Sequence, residues 1–190
     1  MLRFHTQTAG VTLTAQQPMV NTIRVAYQAL AAVLGGTQSL HTNSYDEAIG
    51  LPTEDAVTIA LRTQQVLASE TNIIEYPDLF SGSILIEKIT TGLIADANII
   101  MNKIEKSGGA MECISSGMQQ RMIHESAWKH LEDVESGTTK VVGVNEHTTE
   151  IEGSIEALRI DDEASIRQVN TLKKFKKNRD INSLNIALKK

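Results

Sequence analysis

The chain has 190 residues with 41% hydrophobic, 22% charged and 4% aromatic residues and a formal net charge of −5, the balance of one soluble globular domain rather than an aromatic-rich recognition module. Its single cysteine, Cys113, excludes an internal disulfide framework and a cysteine-based zinc site. No apolar run reaches the roughly 20 residues that span a bilayer, and the N-terminus lacks a signal-peptide pattern, so the expected compartment is the cytoplasm and no membrane partner is expected.

Taken in chain order, residues 2–9 read as a strand ending at Gly10. Pro18 suits the first turn of a helix, whose apolar face is expected from Ile23, Ala26, Tyr27, Leu30, Val33 and Leu34 and whose stop is Gly35-Gly36. Residues 37–43 read as a second strand. Thr53 is placed to cap a helix over 54–69, with Glu54 and Asp55 at its positive end. Residues 71–87 read as irregular, with a short strand at 84–87. Helices follow over 91–106, 110–116 and 119–135, then a third strand over 140–145 and helices over 162–178 and 181–189. Strands separated by helices imply parallel pairing through crossovers, so the fold class is α/β.

Charge is unevenly spread. Residues 171–190 hold seven Lys or Arg against Asp180, a net +6 that leaves about −11 on residues 1–170. A basic tail is one route to nucleic acid, but Ile166, Val169, Leu172 and Phe175 step by three, the spacing of a core-facing helix, so no nucleic-acid partner is expected.

The strands are unusually polar for a covered parallel sheet, where Val, Ile and Leu normally dominate. Arg3, His5 and Gln7 alternate along the first strand, and Ser39, His41 and Asn43 along the second, which puts each trio on one side. Buried without partners, such groups would cost a few kcal/mol each. They must therefore face water, satisfy one another or bind a polar ligand. In a (β/α) barrel the ligand site lies at the C-terminal strand ends, where Gln7, Asn43 and Glu47 would sit. His5 and His41 have no third metal ligand at fixed spacing, and His124, His130 and His147 form no triad with a nucleophile. The glycine pairs lack phosphate-cradle spacing. Cys113, Met111, Met118 and Met122 read as core packing.

The segments Arg3-Phe-His-Thr-Gln-Thr-Ala-Gly10, Leu13-Thr-Ala-Gln-Gln-Pro18, Gly35-Gly-Thr-Gln-Ser-Leu-His-Thr-Asn43, Asp46-Glu-Ala48, Ile59-Ala-Leu-Arg-Thr-Gln-Gln65 and Val141-Val-Gly-Val-Asn145 resemble the methylmalonyl-CoA mutase large-subunit family. The family comprises adenosylcobalamin-dependent acyl-CoA mutases. The resemblance is densest over residues 3–65. It implies a partial (β/α)8 TIM barrel over 1–147, comprising its C-terminal strands and helices, followed by a helical linker over 148–190. It implies an acyl-CoA substrate threaded along the barrel axis, with Arg3, His5, Gln38 and Ser39 on the coenzyme A side. It implies Gln7, Asn43 and Glu47 on the adenosylcobalamin side, and no catalytic residue within the chain. At Ser81-Gly82-Ser83-Ile84 the sequence departs from the family's Gly-Gly-Ser-aromatic pattern.

The implied reaction is radical interconversion of (R)-methylmalonyl-CoA and succinyl-CoA. The resemblance implies that the chain is a segment of a larger mutase, inactive without the other barrel half and a cobalamin-binding subunit carrying Asp-x-His-x-x-Gly. The rival expectation is a non-catalytic CoA-binding or interaction remnant.

Overall fold

A computed structural model describes residues 3–149 and 161–189. Two short strands, β1 (His5–Gln7) and β2 (Ser39–His41), pair in parallel, with His5 opposite Ser39, Thr6 opposite Leu40 and Gln7 opposite His41. The crossover between them is α1 (Asn21–Leu34), entered through 3-10 turns at Gly10–Thr12 and Pro18–Val20. Parallel strands cannot be joined by a tight hairpin, so this crossover is what the pairing requires. The architecture among the described residues is mixed α/β and rich in helix, with this one two-stranded sheet.

The end of α1 is built as expected. Gly36 takes a φ of +79°, and Thr37 N–H donates to the Ala32 carbonyl at 3.1 Å, closing the helix through a left-handed residue. The α2 helix (Glu54–Glu70) starts at Thr53, whose hydroxyl accepts from Ala56 N–H at 3.3 Å. Buried Asp46 accepts from Thr53 N–H at 2.9 Å, which ties the loop after β2 to the start of α2.

The core of this βαβα unit is small and half polar. Leu13, Val25, Ala29, Ala56 and Ala60 are buried beside Thr8, Asn21, Thr42, Asn43, Ser44 and Asp46. Thr42 illustrates how the polar members are satisfied: its hydroxyl donates to the Ala60 carbonyl at 2.7 Å and accepts from Gln64 at 3.0 Å, fastening α2 behind β2.

Four expectations are corrected here. The face of α1 that packs is Asn21, Val25 and Ala29, while Ile23 and Tyr27 are exposed; periodicity finds an apolar stripe, but neighbours decide which face is covered. Residues 84–87 are the first turn of α3 (Ile84–Lys106), because Ser83 caps Ile86 N–H and commits that apolar run to helix. Residues 140–145 form a turn with one isolated bridge, Val142 to Glu146, instead of a strand. Gly143 sits there at φ +83°, and Asn145 Oδ1 accepts from Val141 N–H at 2.7 Å, which bends the segment back on itself. Ile166, Val169, Leu172 and Phe175 are exposed among the described residues.

The remaining helices are α4 (Ala110–Ser115), α5 (Met118–Glu135), α6 (Asp162–Asn178) and α7 (Ile181–Leu188). Cys113 and Met118 are buried where α4 meets α5, as a packing role requires, whereas Met111 is exposed. The 23-residue α3 has no buried residue. No helix among the described residues is long and apolar enough to cross a membrane.

Candidate functional site

The two polar trios lie on the same face of the sheet and are joined across it. His5 Nδ1 and Ser39 Oγ are 2.7 Å apart, and Gln7 Nε2 donates to Asn43 Oδ1 at 2.9 Å. His5, Gln7, Ser39 and His41 are exposed, so one side of the sheet is a hydrogen-bonded polar surface open to solvent. The other side behaves differently: Thr6 donates to Thr37, and Thr42 turns back to α2.

Asn43 is the fixed point of the surface. It is 2% exposed, its backbone N–H donates to Thr8 Oγ1 at 2.9 Å, and its Nδ2 donates to the Thr8 carbonyl at 3.1 Å. Beside it the chain must pass closely. A Cβ on Gly10 would lie 2.9 Å from Asn43 Nδ2 and 3.6 Å from Glu47 Oε1, so the glycine leaves bare backbone next to both groups. The Glu47 carboxylate is exposed and has no hydrogen bond or ion pair among the described residues. A cleft of about 210 Å³ lined by His41, Thr42, Ser44, Glu47, Val57 and Gln64 opens alongside.

Gln38 and Arg3 stand at the opposite end of the strands. The Gln38 amide is occupied by backbone, accepting from Phe4 N–H at 2.8 Å and donating to the Gly36 carbonyl at 2.7 Å. Arg3 is exposed. The structure therefore sorts the candidates into two groups along the strands: Arg3, His5, Gln38 and Ser39 towards the start, and Gln7, Asn43 and Glu47 towards the end.

Supporting residues were not found from sequence. Asn21 is fully buried. It accepts from Thr14 N–H at 3.1 Å and from Arg24 at 2.7 Å, and donates to the carbonyls of Thr14 and Tyr45 at 2.8 Å each. Arg24 also donates to the Val142 carbonyl at 2.6 Å, and Gln17 to the His147 carbonyl at 2.9 Å, which draws residues 142–147 against α1. Gln28 bridges Ala9 N–H and the Thr12 hydroxyl, fixing the loop after β1. A larger hollow of about 650 Å³ between α1 and residues 140–142 contains none of the candidate residues.

The family model described as methylmalonyl-CoA mutase matches residues 1–190. The chain belongs to the methylmalonyl-CoA mutase family. Among its relatives, it is 41% identical over 181 residues to the mitochondrial methylmalonyl-CoA mutase of Homo sapiens, covering 95% of this chain and 24% of that protein. It is 42% identical over 190 residues to methylmalonyl-CoA mutase of Cereibacter sphaeroides, covering 99% of this chain and 27% of that protein. It is 42% identical over 180 residues to the 2-hydroxyisobutanoyl-CoA mutase large subunit of Aquincola tertiaricarbonis, covering 94% of this chain and 32% of that protein. The chain thus spans about a quarter to a third of the length of these mutases.

The donor set at the strand ends fits the adenosylcobalamin that the family implies. The Glu47 carboxylate, without a partner among the described residues, is free to accept, the Gln7 and Asn43 amides are joined to each other, and the bare Gly10 backbone lets Asn43 pack directly against it. An acceptor carboxylate next to fixed amides suits a ligand bearing sugar hydroxyls and amide groups.

Proposed function

We propose that this chain builds part of the acyl-CoA-binding wall of an acyl-CoA mutase, a partial (β/α)8 barrel over 1–147 with a helical linker over 148–190. The observation that carries the reading is the solvent-open polar face of β1 and β2, where His5–Ser39 and Gln7–Asn43 are joined across the strands. A packed aliphatic barrel core has no use for such a face, whereas a polar chain threaded past it does. The β1–α1–β2–α2 order is the repeating unit of such barrels, and the uncovered apolar length of α3 suits burial against further protein.

On this reading Arg3, His5, Gln38 and Ser39 bind the pantetheine part of coenzyme A. Gln7, Asn43 and Glu47 hold the adenosyl end of adenosylcobalamin, with the Glu47 carboxylate accepting from ribose hydroxyls. The cofactor, when bound, supplies the radical chemistry; the chain's residues orient the ligands and keep them in place. The reaction is the carbon-skeleton isomerisation of (R)-methylmalonyl-CoA and succinyl-CoA. It requires the remaining barrel half and a cobalamin-binding partner, in keeping with a relative named as a large subunit. Relatives named for methylmalonyl-CoA and for 2-hydroxyisobutanoyl-CoA are matched at 41% and 42% identity, so acyl-CoA is the substrate class they share.

The test is titration of coenzyme A and adenosylcobalamin into the assembled mutase that carries this chain, wild type and Glu47→Gln. The reading predicts that both ligands bind and that the variant weakens adenosylcobalamin about tenfold while sparing coenzyme A. Unchanged cofactor affinity removes the Glu47 assignment. Failure of the wild type to bind either ligand removes the reading.

A further inference from the structure

We propose that α5 and α6 form an interface between two copies of this chain, with the basic face of α6 in one copy seated on the acidic face of α5 in the other. None of the residues involved belongs to the ligand-binding face of β1 and β2, so this contact is a property beyond that reading.

Each helix carries an apolar ridge edged by charge of one sign. On α5, Trp128 and Leu131 are exposed and line a shallow hollow of about 600 Å³ with His124, Glu125 and Ala127. Glu125, Glu132 and Glu135 stand three or four residues from Trp128 or Leu131, which places them on the same face. Glu132 accepts from Trp128 Nε1 at 2.8 Å and holds the indole beside that acidic edge. On α6, Val169, Leu172 and Phe175 are exposed, and Lys173 and Lys176 follow Val169 and Leu172 by four residues on the same face. None of these carboxylates or lysines has an ion pair among the described residues.

Charge complementarity identifies the occupant. Residues 171–190 carry a net +6 against about −11 on residues 1–170, so the counter-surface that suits α6 is present on this same sequence. The spacing also fits. Glu132 and Glu135 are three residues apart, as are Lys173 and Lys176, a rise of about 4.5 Å in each helix. Both pairs can meet while Leu172 and Phe175 lie against Trp128 and Leu131. Within one copy both ridges are exposed, so α6 is not seated on its own α5. A second copy supplies what each ridge lacks, and the exchange is reciprocal: α6 of each copy on α5 of the other closes a two-fold contact. Burial of the ridges supplies the affinity, and the exposed Lys–Glu pairs set the register and the choice of partner.

The experiment uses the assembled mutase prepared from an equal mixture of ¹⁵N-labelled and unlabelled chain. Carbodiimide joins touching lysines and carboxylates, and mass spectrometry reads which copies were joined. We expect peptides linking Lys173 or Lys176 to Glu132 or Glu135, with about half of them pairing a labelled with an unlabelled copy, as random two-fold pairing requires. Sedimentation then reads the strength of self-association. Lys173→Glu with Lys176→Glu should weaken it about tenfold or more, and adding Glu132→Lys with Glu135→Lys should restore it, which a folding defect would not allow. Links confined to single copies, links from these lysines to another subunit instead, or no links at all overturn the proposal. So does self-association that the charge reversals leave unchanged.

Discussion

Gln7 donates to Asn43 across the sheet at 2.9 Å, and Asn43 is in turn held by Thr8 through its backbone and its side chain. One buried amide thus fixes the end of β1 to the end of β2 and sets where the exposed Gln7 side chain lies.

Replacing Asn43 by alanine removes two side-chain hydrogen bonds at once, the one accepted from Gln7 and the one donated to the Thr8 carbonyl, which is left without that donor. We expect Asn43→Ala to cost about 2 kcal/mol and Gln7→Ala, an exposed partner in the same bond, about 0.5 kcal/mol. Urea denaturation of the two variants checks the asymmetry; equal losses would mean that Asn43 is not the anchor.

Asn21 holds the start of α1 to Thr14 and Tyr45 through three hydrogen bonds and accepts a fourth from Arg24 in the same helix. Asn21→Leu leaves several buried backbone and side-chain groups unpaired, with an expected cost of about 3 kcal/mol. Thermal unfolding should show the drop. Hydrogen exchange should show residues 142–147 losing protection with it, because Arg24 reaches Val142 from the same cluster.

Gly10→Ala tests the close approach without removing a hydrogen-bonding group. The added Cβ would meet Asn43 Nδ2 at 2.9 Å, and Asn43 cannot give way without breaking its bonds to Thr8. The expected outcome is a loss of about 1–2 kcal/mol in stability and weaker adenosylcobalamin binding, measured by denaturation and titration. Gly36→Ala, at φ +79° with open space around it, should also destabilise, through backbone strain, but leave ligand binding alone.

Much of this arrangement was legible in the sequence because it follows period two or ends in glycine. Alternation put His5 and Gln7 on one side and Ser39, His41 and Asn43 on another strand's matching side, and the register then joined them. Thr53 and Gly35-Gly36 marked their helix ends chemically. The 140–145 segment misled because Val-Val-Gly-Val has strand composition, while its shape is decided by Gly143 at positive φ and by Asn145 bonding to the Val134 and Thr139 carbonyls. Asn21 and Arg24 went unseen because their partners are backbone groups far along the chain, for which no local pattern exists.

The α7 helix offers a pH test. Asp180 caps it, accepting from Ser183 Oγ at 2.6 Å and from Asn182 N–H at 2.8 Å. The Ser183 side-chain bond, then the Ser183 and Asn182 backbone bonds, hold its carboxyl below the ordinary 3.8. A carboxyl lowered in the folded state contributes stability that is present above its unfolded value and lost as pH falls through its folded one. The helicity of 181–188, followed by NMR shifts, should hold from neutral pH to about 4 and decline only below it. Asp180→Asn, which caps without titrating, should flatten that decline.

The central claim is that the open polar face of β1 and β2 binds coenzyme A. A double-mutant cycle on His5 and Ser39, read as coenzyme A affinity of the assembled mutase, tests it most directly. The account predicts that each alanine variant weakens binding about tenfold and that the double variant loses less than the sum, because the two side chains are bonded to each other at 2.7 Å and act as one unit. Wild-type affinity in all three variants would contradict it.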